Sequence, residues 1–404
     1  MLRSLHMTGV GPAPRFDLEL GERLNVLTGD NGLGKSFVLE VAWWALTGSW
    51  VDRPVLPQPG KEETAEIAVH LGPPEPAPDY LAFRSSFERV TQQWDDDQQG
   101  HAQEIVRRSS ARSGFNPVFL VPTRGSVPVL YVRPDGMFSI FDPARLKLAT
   151  GDSTVPLGLA PLAARAYHFT PEELWDGLRQ DEKIVCNGLL QDWVTWQLEA
   201  QGDDTHPFQL LTWVLAELSH PEEKMVPGKP VRLFLDDVRK FPTIELPYGT
   251  VPVVHTSSGM KRILGLAYLI TWMWTEHLQT SKIIGRNPAD SLVVLLEEPE
   301  THLHPKWQRH ILPALLDVLG GLSESMRPQI LLTTHAPMVL ASLEPHFNTE
   351  TDRLFHIELR DREVVLEETP WTKHGDALAW LTSDVMDLKE GRKRSQSAAH
   401  RASG

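Results

Sequence analysis

Near the start of the chain Gly29, Asp30, Asn31, Gly32, Leu33, Gly34, Lys35 and Ser36 follow the pattern G-x-x-x-x-G-K-[ST] without a gap. Glycines at these spacings let the backbone curl so that successive N–H groups point inward. A helix that begins at the lysine adds its positive end. Lys35 is then placed to reach the β- and γ-phosphates of a nucleoside triphosphate, and the Ser36 hydroxyl to ligate Mg2+. With Phe37, which follows directly, these residues are the expected nucleotide-binding set. A plain glycine turn between a strand and a helix would share the composition, though seldom the full pattern.

A second set lies far along the chain. Ser291 to Leu296 is an apolar run that ends in Glu297, Glu298, Pro299 and Glu300. Beside a phosphate loop, such a strand must deliver carboxylates near the metal and the γ-phosphate, one acting on Mg2+ through water and the next on the attacking water. Acids that cap a buried strand for solubility alone would look the same. HTSSGMKR, His255 to Arg262, puts Ser257, Ser258 and Gly259 at the start of a long helix, as a second anion site or as an ordinary serine cap. ILLTTHAP sends an apolar strand into His335, where an imidazole could meet a γ-phosphate or serve structure only.

The elements that must position these groups read as follows. Strands are expected at Leu2 to His6, Phe16 to Leu20 and Leu24 to Leu27, with Gly and Pro between them. From Ser36 to Leu46, Phe37, Val38, Val41, Trp44 and Ala45 recur at helical spacing. AEIAVHL and LAFRSSFERV suggest antiparallel strands, and VPVLYVRPDGMFSIFD a hairpin around Pro134, Asp135 and Gly136. TPEELW offers a cap, a proline at the first helical position and early carboxylates. From Thr170 to Ser219 the chain reads as mostly helical, and LPYGTVPVVH returns to strand. A long helix from Gly259 to His277 and a helix from His304 to Leu319 flank the buried strand SLVVLLEEPE, and QILLTTH is the last core strand. Alternation at both ends with an insertion between them predicts an α/β core interrupted by sub-domains. The regions are a first lobe with an antiparallel β sub-domain (1–168), a mainly helical insertion (169–244), a second lobe (245–368) and a helical, frayed tail (369–404).

Taken in order, these motifs resemble the ABC-type ATPases, and within them the soluble, non-transporter branch of RecF, SMC and OLD-family phage-defence proteins. GDNGLGKS resembles the Walker A loop, TSSGM the ABC signature, LLEEPETHLHP Walker B with its D-loop, and TTH the switch histidine. The resemblance implies a P-loop NTPase fold of ABC type with a mixed sheet core, and ATP and Mg2+ as cofactors. It gives Glu298 the place of the general base, Glu297 with Ser36 that of the metal ligands, and His335 that of the switch residue, beside Lys35. It also implies a homodimer in which Ser257, Ser258 and Gly259 contact ATP held by the other subunit, with higher assembly possible. Glu297 departs from the usual Asp of transporters and SMC proteins, and Ser258 and Met260 from the Gly and Gln of transporters.

By the same resemblance the chain would be a dimeric switch controlling a DNA transaction or a separately encoded nuclease or toxin, most naturally in anti-phage defence. A RecF-like repair ATPase and a non-hydrolysing scaffold subunit are the other readings. The stretch after His335 is shorter than the ~100 residues of an added domain such as the Toprim nuclease.

Composition bounds the rest. Among 404 residues, 41% hydrophobic and 23% charged, the net charge of −14 argues against a protein that coats nucleic acid through bulk positive charge. DNA contact through a local groove stays open. Cys186 is the single cysteine, which rules out an intramolecular disulfide and fits a reducing compartment. The opening MLRSLHMTGVGP has no signal-peptide core, and Ile263 to Trp274 is too short to span a bilayer, so a cytoplasmic protein without a membrane partner is expected. Asp95, Asp96 and Asp97 read as a solvated loop and His302 and His304 as part of the D-loop, in neither case as a metal site. Trp175, Trp193, Trp196 and Trp213 read as core or interface anchors, and the basic tail GRKRSQSAAHRASG as a solvated terminus.

Overall fold

The computed structural model describes residues 1–72, 81–96, 125–145, 166–180, 182–200 and 206–383. Asp97 and the basic tail lie outside them. The centre is an eight-stranded mixed sheet. Its order is β18 (Glu363–Glu368), β17 (Asp352–Arg360), β3 (Leu24–Gly29), β16 (Arg327–Thr333), β15 (Ser291–Glu297), β7 (Val129–Val132), β8 (Phe138–Phe141) and β9 (Tyr167–Phe169). The run from β17 to β7 is parallel, and the strands outside it pair antiparallel.

Parallel strands covered on both faces need apolar residues at every position, and β15, SLVVLLE, is buried throughout. Its alternation divides two cores. Leu292, Val294 and Leu296 face the helical layer, whereas Val293 and Leu295 face helix α1 (Lys35–Thr47). Behind α1 lies a five-stranded antiparallel sheet ordered β2 (Arg15–Glu19), β1 (Leu2–Thr8), β4 (Glu66–Leu71), β5 (Leu81–Glu88) and β6 (Gln93–Asp96), which is the expected sub-domain. Sandwiched in this way, α1 buries both Trp43 and Trp44. The expected hairpin is β7–β8.

Residues 169–244 are less helical than the sequence suggests. They hold α2 (Pro171–Asp176), α3 (Leu189–Glu199) and α4 (Pro207–Leu218), but also the hairpin of β10 (Leu178–Gln180) and β11 (Lys183–Cys186). A small sheet follows, of β12 (Val226–Val231), β13 (Phe241–Leu246) and β14 (Gly249–Pro252). Pro227, Gly228 and Pro230 deny that stretch a helical ladder. α2 begins as its sequence announces, with Thr170 and Glu173 bonded in a reciprocal capping box. Trp193 is fully buried, and Trp175, Trp196 and Trp213 pack against the same core.

Helix α5 (Ser258–Ile283) runs on past His277 and is the spine of the helical layer, beside α6 (Pro305–Gly321) and α7 (Pro337–Leu343). Within 369–404 the short α8 (Ala377–Leu381) is described. Among the described residues no helix is long and apolar enough to cross a membrane.

One ion pair fixes β17 beside β3. The Asp352 carboxylate, fully buried, accepts from Arg23 Nε at 3.0 Å and Nη2 at 2.5 Å, and from the Asn348 N–H at 2.8 Å. Asp352→Ala is expected to destabilise the chain by about 3 kcal/mol, the lower end for breaking such a pair because Arg23 keeps some solvent. Urea denaturation measures it, and a change below about 1 kcal/mol would show that the pair contributes little.

Candidate functional site

Because β3, β16 and β15 are parallel neighbours, their C-terminal ends share one edge of the sheet. β3 ends in Gly29, β15 in Glu297, and β16 in Thr333, two residues before His335. β16, lying between the other two, carries the histidine toward both.

The loop after β3 needs its glycines for two different reasons. Gly29 has φ +136°, and a Cβ there would stand 1.9 Å from the Ile357 carbonyl oxygen of β17. Gly34 caps α1 in the left-handed region at φ 106°, with Pro12 Cγ 2.6 Å from where a Cβ would sit. Between them Asp30, Asn31 and Gly32 are exposed, whereas Leu33 packs inward on the α1 core. Lys35 is buried, and its Nζ donates to the carbonyls of Gly29 at 2.8 Å and Asp30 at 2.7 Å. Burial lowers the Lys35 ammonium below its ordinary value, opposed by the carboxylates of Glu298, Asp30, Glu297 and Glu300. The Phe37 ring lies 6.0 Å from Phe16 and tight against Gly11.

The two adjacent carboxylates point to different partners. Glu297 continues the α1-facing side of β15. Ser36 Oγ donates to its Oε1, and the Tyr131 hydroxyl donates to Oε2 at 3.0 Å. Burial, and then the charge of Glu297, push the Tyr131 phenol well above its ordinary range, so it stays a donor. Glu298 lies just past the strand with φ 44°, in the left-handed region rare for a side chain of this length. Its N–H donates to the Thr333 carbonyl at 3.0 Å, and its Oε1 lies 2.6 Å from His335 Nε2. His335 Nδ1 lies 3.2 Å from the Gly29 carbonyl. A carbonyl only accepts, so the Gly29 contact takes a hydrogen on Nδ1. Glu300 fixes the same loop by accepting from the Thr334 hydroxyl at 2.7 Å and the His335 N–H at 3.0 Å.

Ser257 accepts from the Met260 N–H at 3.3 Å and caps α5, so the plain capping role is present. Ser257 and Ser258 are exposed, and among the described residues neither bonds to the Gly29–Ser36 loop. Gly259 packs on the turn after β15, where a Cβ would sit 2.9 Å from the His302 carbonyl oxygen. His302 itself has φ 65°. His304 caps α6. Among the described residues no group of three or more His, Cys, Asp or Glu side chains could hold a metal on its own. The Ser36 and Glu297 oxygens are hard donors that suit Mg2+ shared with phosphates.

Two contributors carry no motif. Arg262, in the first turns of α5, donates from Nη1 to the Pro134 carbonyl at 3.0 Å and from Nη2 to the carbonyls of Glu297 at 3.4 Å and Glu298 at 3.3 Å. Burial lowers its guanidinium below the ordinary value, against the pull of Glu300 and Asp135. A cation near a helix N-terminus opposes the helix dipole, and that mismatch was the signal available. Tyr131 announced itself only as a phenol inside a strand buried on both faces, where its hydroxyl must find a partner.

The fold is thus that of a P-loop NTPase of ABC type, with the loop, the acid pair and the histidine on one sheet edge. The family model described as "AAA domain, putative AbiEii toxin, Type IV TA system" matches residues 210–341, a span that includes Ser257, Glu298 and His335 but begins after the Gly29–Ser36 loop. The "Retron Ec83 probable ATPase" of Escherichia coli is 32% identical over 96 residues, which make up 24% of this chain and 16% of that protein. Among solved structures, the SMC head bound to the C-winged helix domain of ScpA is similar at 13% identity and TM-score 0.44, over 91% of this chain and 97% of that one. The SMC head domain from Thermotoga maritima is similar at 13% identity and TM-score 0.43, over 92% of this chain and 99% of that one.

Proposed function

We propose that the chain binds and hydrolyses ATP and uses the cycle as a dimeric switch. The observation that carries this reading is the edge on which Ser36 meets Glu297 while Glu298 meets His335, with Lys35 between the acids and the loop. The Gly29–Ser36 loop and Lys35 hold the triphosphate. Mg2+, held through Ser36 and Glu297, would neutralise charge on the phosphates. Glu298 takes a proton from the attacking water and His335 orients it while contacting the γ-phosphate. Ser257, Ser258 and Gly259 lie exposed or half-exposed and unbonded to their own loop, as groups that close over a partner's nucleotide must be.

The switch acts on a separately encoded effector, a nuclease or toxin, or on DNA, in anti-phage defence. The named retron ATPase and the toxin-system family description support that setting by similarity over part of the chain.

Light scattering with and without Mg-ATP, with phosphate release followed in the same samples, tests the proposal. A doubled mass with ATP and steady release are expected. An unchanged mass would remove the dimeric switch, and nucleotide held without release would leave a scaffold.

A further inference from the structure

The position of the metal-side acid is filled by a glutamate, whose arm has one more rotatable bond than an aspartate and needs holding. Two donors do so, one on each oxygen: Ser36 on Oε1 and Tyr131 on Oε2. The placement of Tyr131 follows from strand register. β7 pairs parallel to β15 with Tyr131 opposite Leu295, and Glu297 is two residues on, hence on the same face. That face is the α1 side, where the Tyr131 ring lies 6.2 Å from Trp43 and is 1% exposed. Phenylalanine would fill the ring's space equally well, and the hydroxyl's hydrogen bond goes to Glu297. The oxygen is therefore there for the carboxylate.

We propose that Tyr131 is a positioning residue for Mg2+ coordination, setting the Glu297 carboxylate beside Ser36 so that a glutamate serves where an aspartate is shorter. This rests on the nucleotide reading above. Freed from Tyr131, Glu297 populates other rotamers, and the metal must first select the competent one. Among the described residues the Tyr131 hydroxyl bonds to Glu297 and to no residue of the Gly29–Ser36 loop, so metal-free nucleotide affinity is expected not to depend on it.

The test is binding of a fluorescent methylanthraniloyl adenosine diphosphate to the full chain, titrated with Mg2+ and repeated in EDTA. In Tyr131→Phe the Mg2+ concentration for half-maximal effect rises roughly tenfold, the weight of one hydrogen bond to a charged group. The EDTA affinity stays at its wild-type value, and the melting temperature falls only by the few degrees that one lost buried hydrogen bond costs. In a Glu297→Asp background, whose shorter arm falls away from the hydroxyl, adding Tyr131→Phe shifts the midpoint no further. A Tyr131→Phe midpoint equal to wild type overturns the proposal, as does an equal shift in both backgrounds, which would mark a general packing effect. If wild type itself binds alike in Mg2+ and EDTA, the metal role of Glu297 is lost, and the proposal fails with it for that separate reason.

Discussion

Glu298→Gln is expected to slow phosphate release by roughly a hundredfold or more, the usual contribution of a positioned general base. The amide has the same shape and cannot take a proton. The backbone that presents it is unaffected, since the Glu298 N–H bond to Thr333 and the Arg262 bonds to the carbonyls of Glu297 and Glu298 are main-chain contacts. A glutamine amide can still bond His335 Nε2, through its oxygen or its N–H, so His335 keeps its place between Glu298 and Gly29. Nucleotide affinity is therefore expected within a few-fold of wild type, and ATP-dependent dimers should accumulate because the step that ends them is blocked. Single-turnover phosphate release with parallel light scattering measures both. Turnover within threefold of wild type would take the base assignment away from Glu298.

Lys35→Ala should act on binding. Its ammonium sits where four carboxylates, of Glu298, Asp30, Glu297 and Glu300, bear on it. Without that cation, an incoming triphosphate meets like charge with only loop N–H groups to offset it. A loss of roughly a hundredfold in ATP affinity is expected, about 2.7 kcal/mol. Stability should change far less. The Gly29 carbonyl keeps His335 Nδ1, and the Asp30 carbonyl is at an exposed residue that water reaches. Fluorescent-nucleotide titration against urea denaturation separates the two effects. An affinity within threefold of wild type would mean that Lys35 serves its own loop and not the phosphates.

The parts of the site that sequence exposed are those where chemistry and local geometry coincide. Gly29 to Ser36 specify a turn and a helix start together, and the unbroken apolar run of β15 implies a strand covered on both faces. The Glu297–Glu298 step could be read as two acids with two jobs, because a strand ending beside a phosphate loop must serve both the metal and the attacking water. What stayed hidden depends on which strands are neighbours. Nothing in QILLTTH says that β16 inserts between β3 and β15, yet that order is what puts His335 against both Gly29 and Glu298. Tyr131 meets Glu297 across 166 residues of chain, and Arg262 reaches Pro134 across 128. Such pairs follow from sheet order and have no local spacing to betray them. In the insertion the tryptophan- and leucine-rich stretch to Ser219 is mostly helical as read, and the departure is the short β10–β11 hairpin and the proline-broken strand β12.

The contact between Gly259 and the His302 carbonyl links two functions that genetics would try to separate. A signature residue acting only on a partner's nucleotide should show complementation: a Gly259→Ala chain mixed with a Glu298→Gln chain would regain one working composite site in each mixed dimer. But a methyl at 259 presses on the turn that carries Glu298 in its own subunit. The same allele would then be defective in both halves of the cycle, and mixing would rescue nothing. Failure of such a cross would record a shared hinge inside one chain and would not count against pairing between chains.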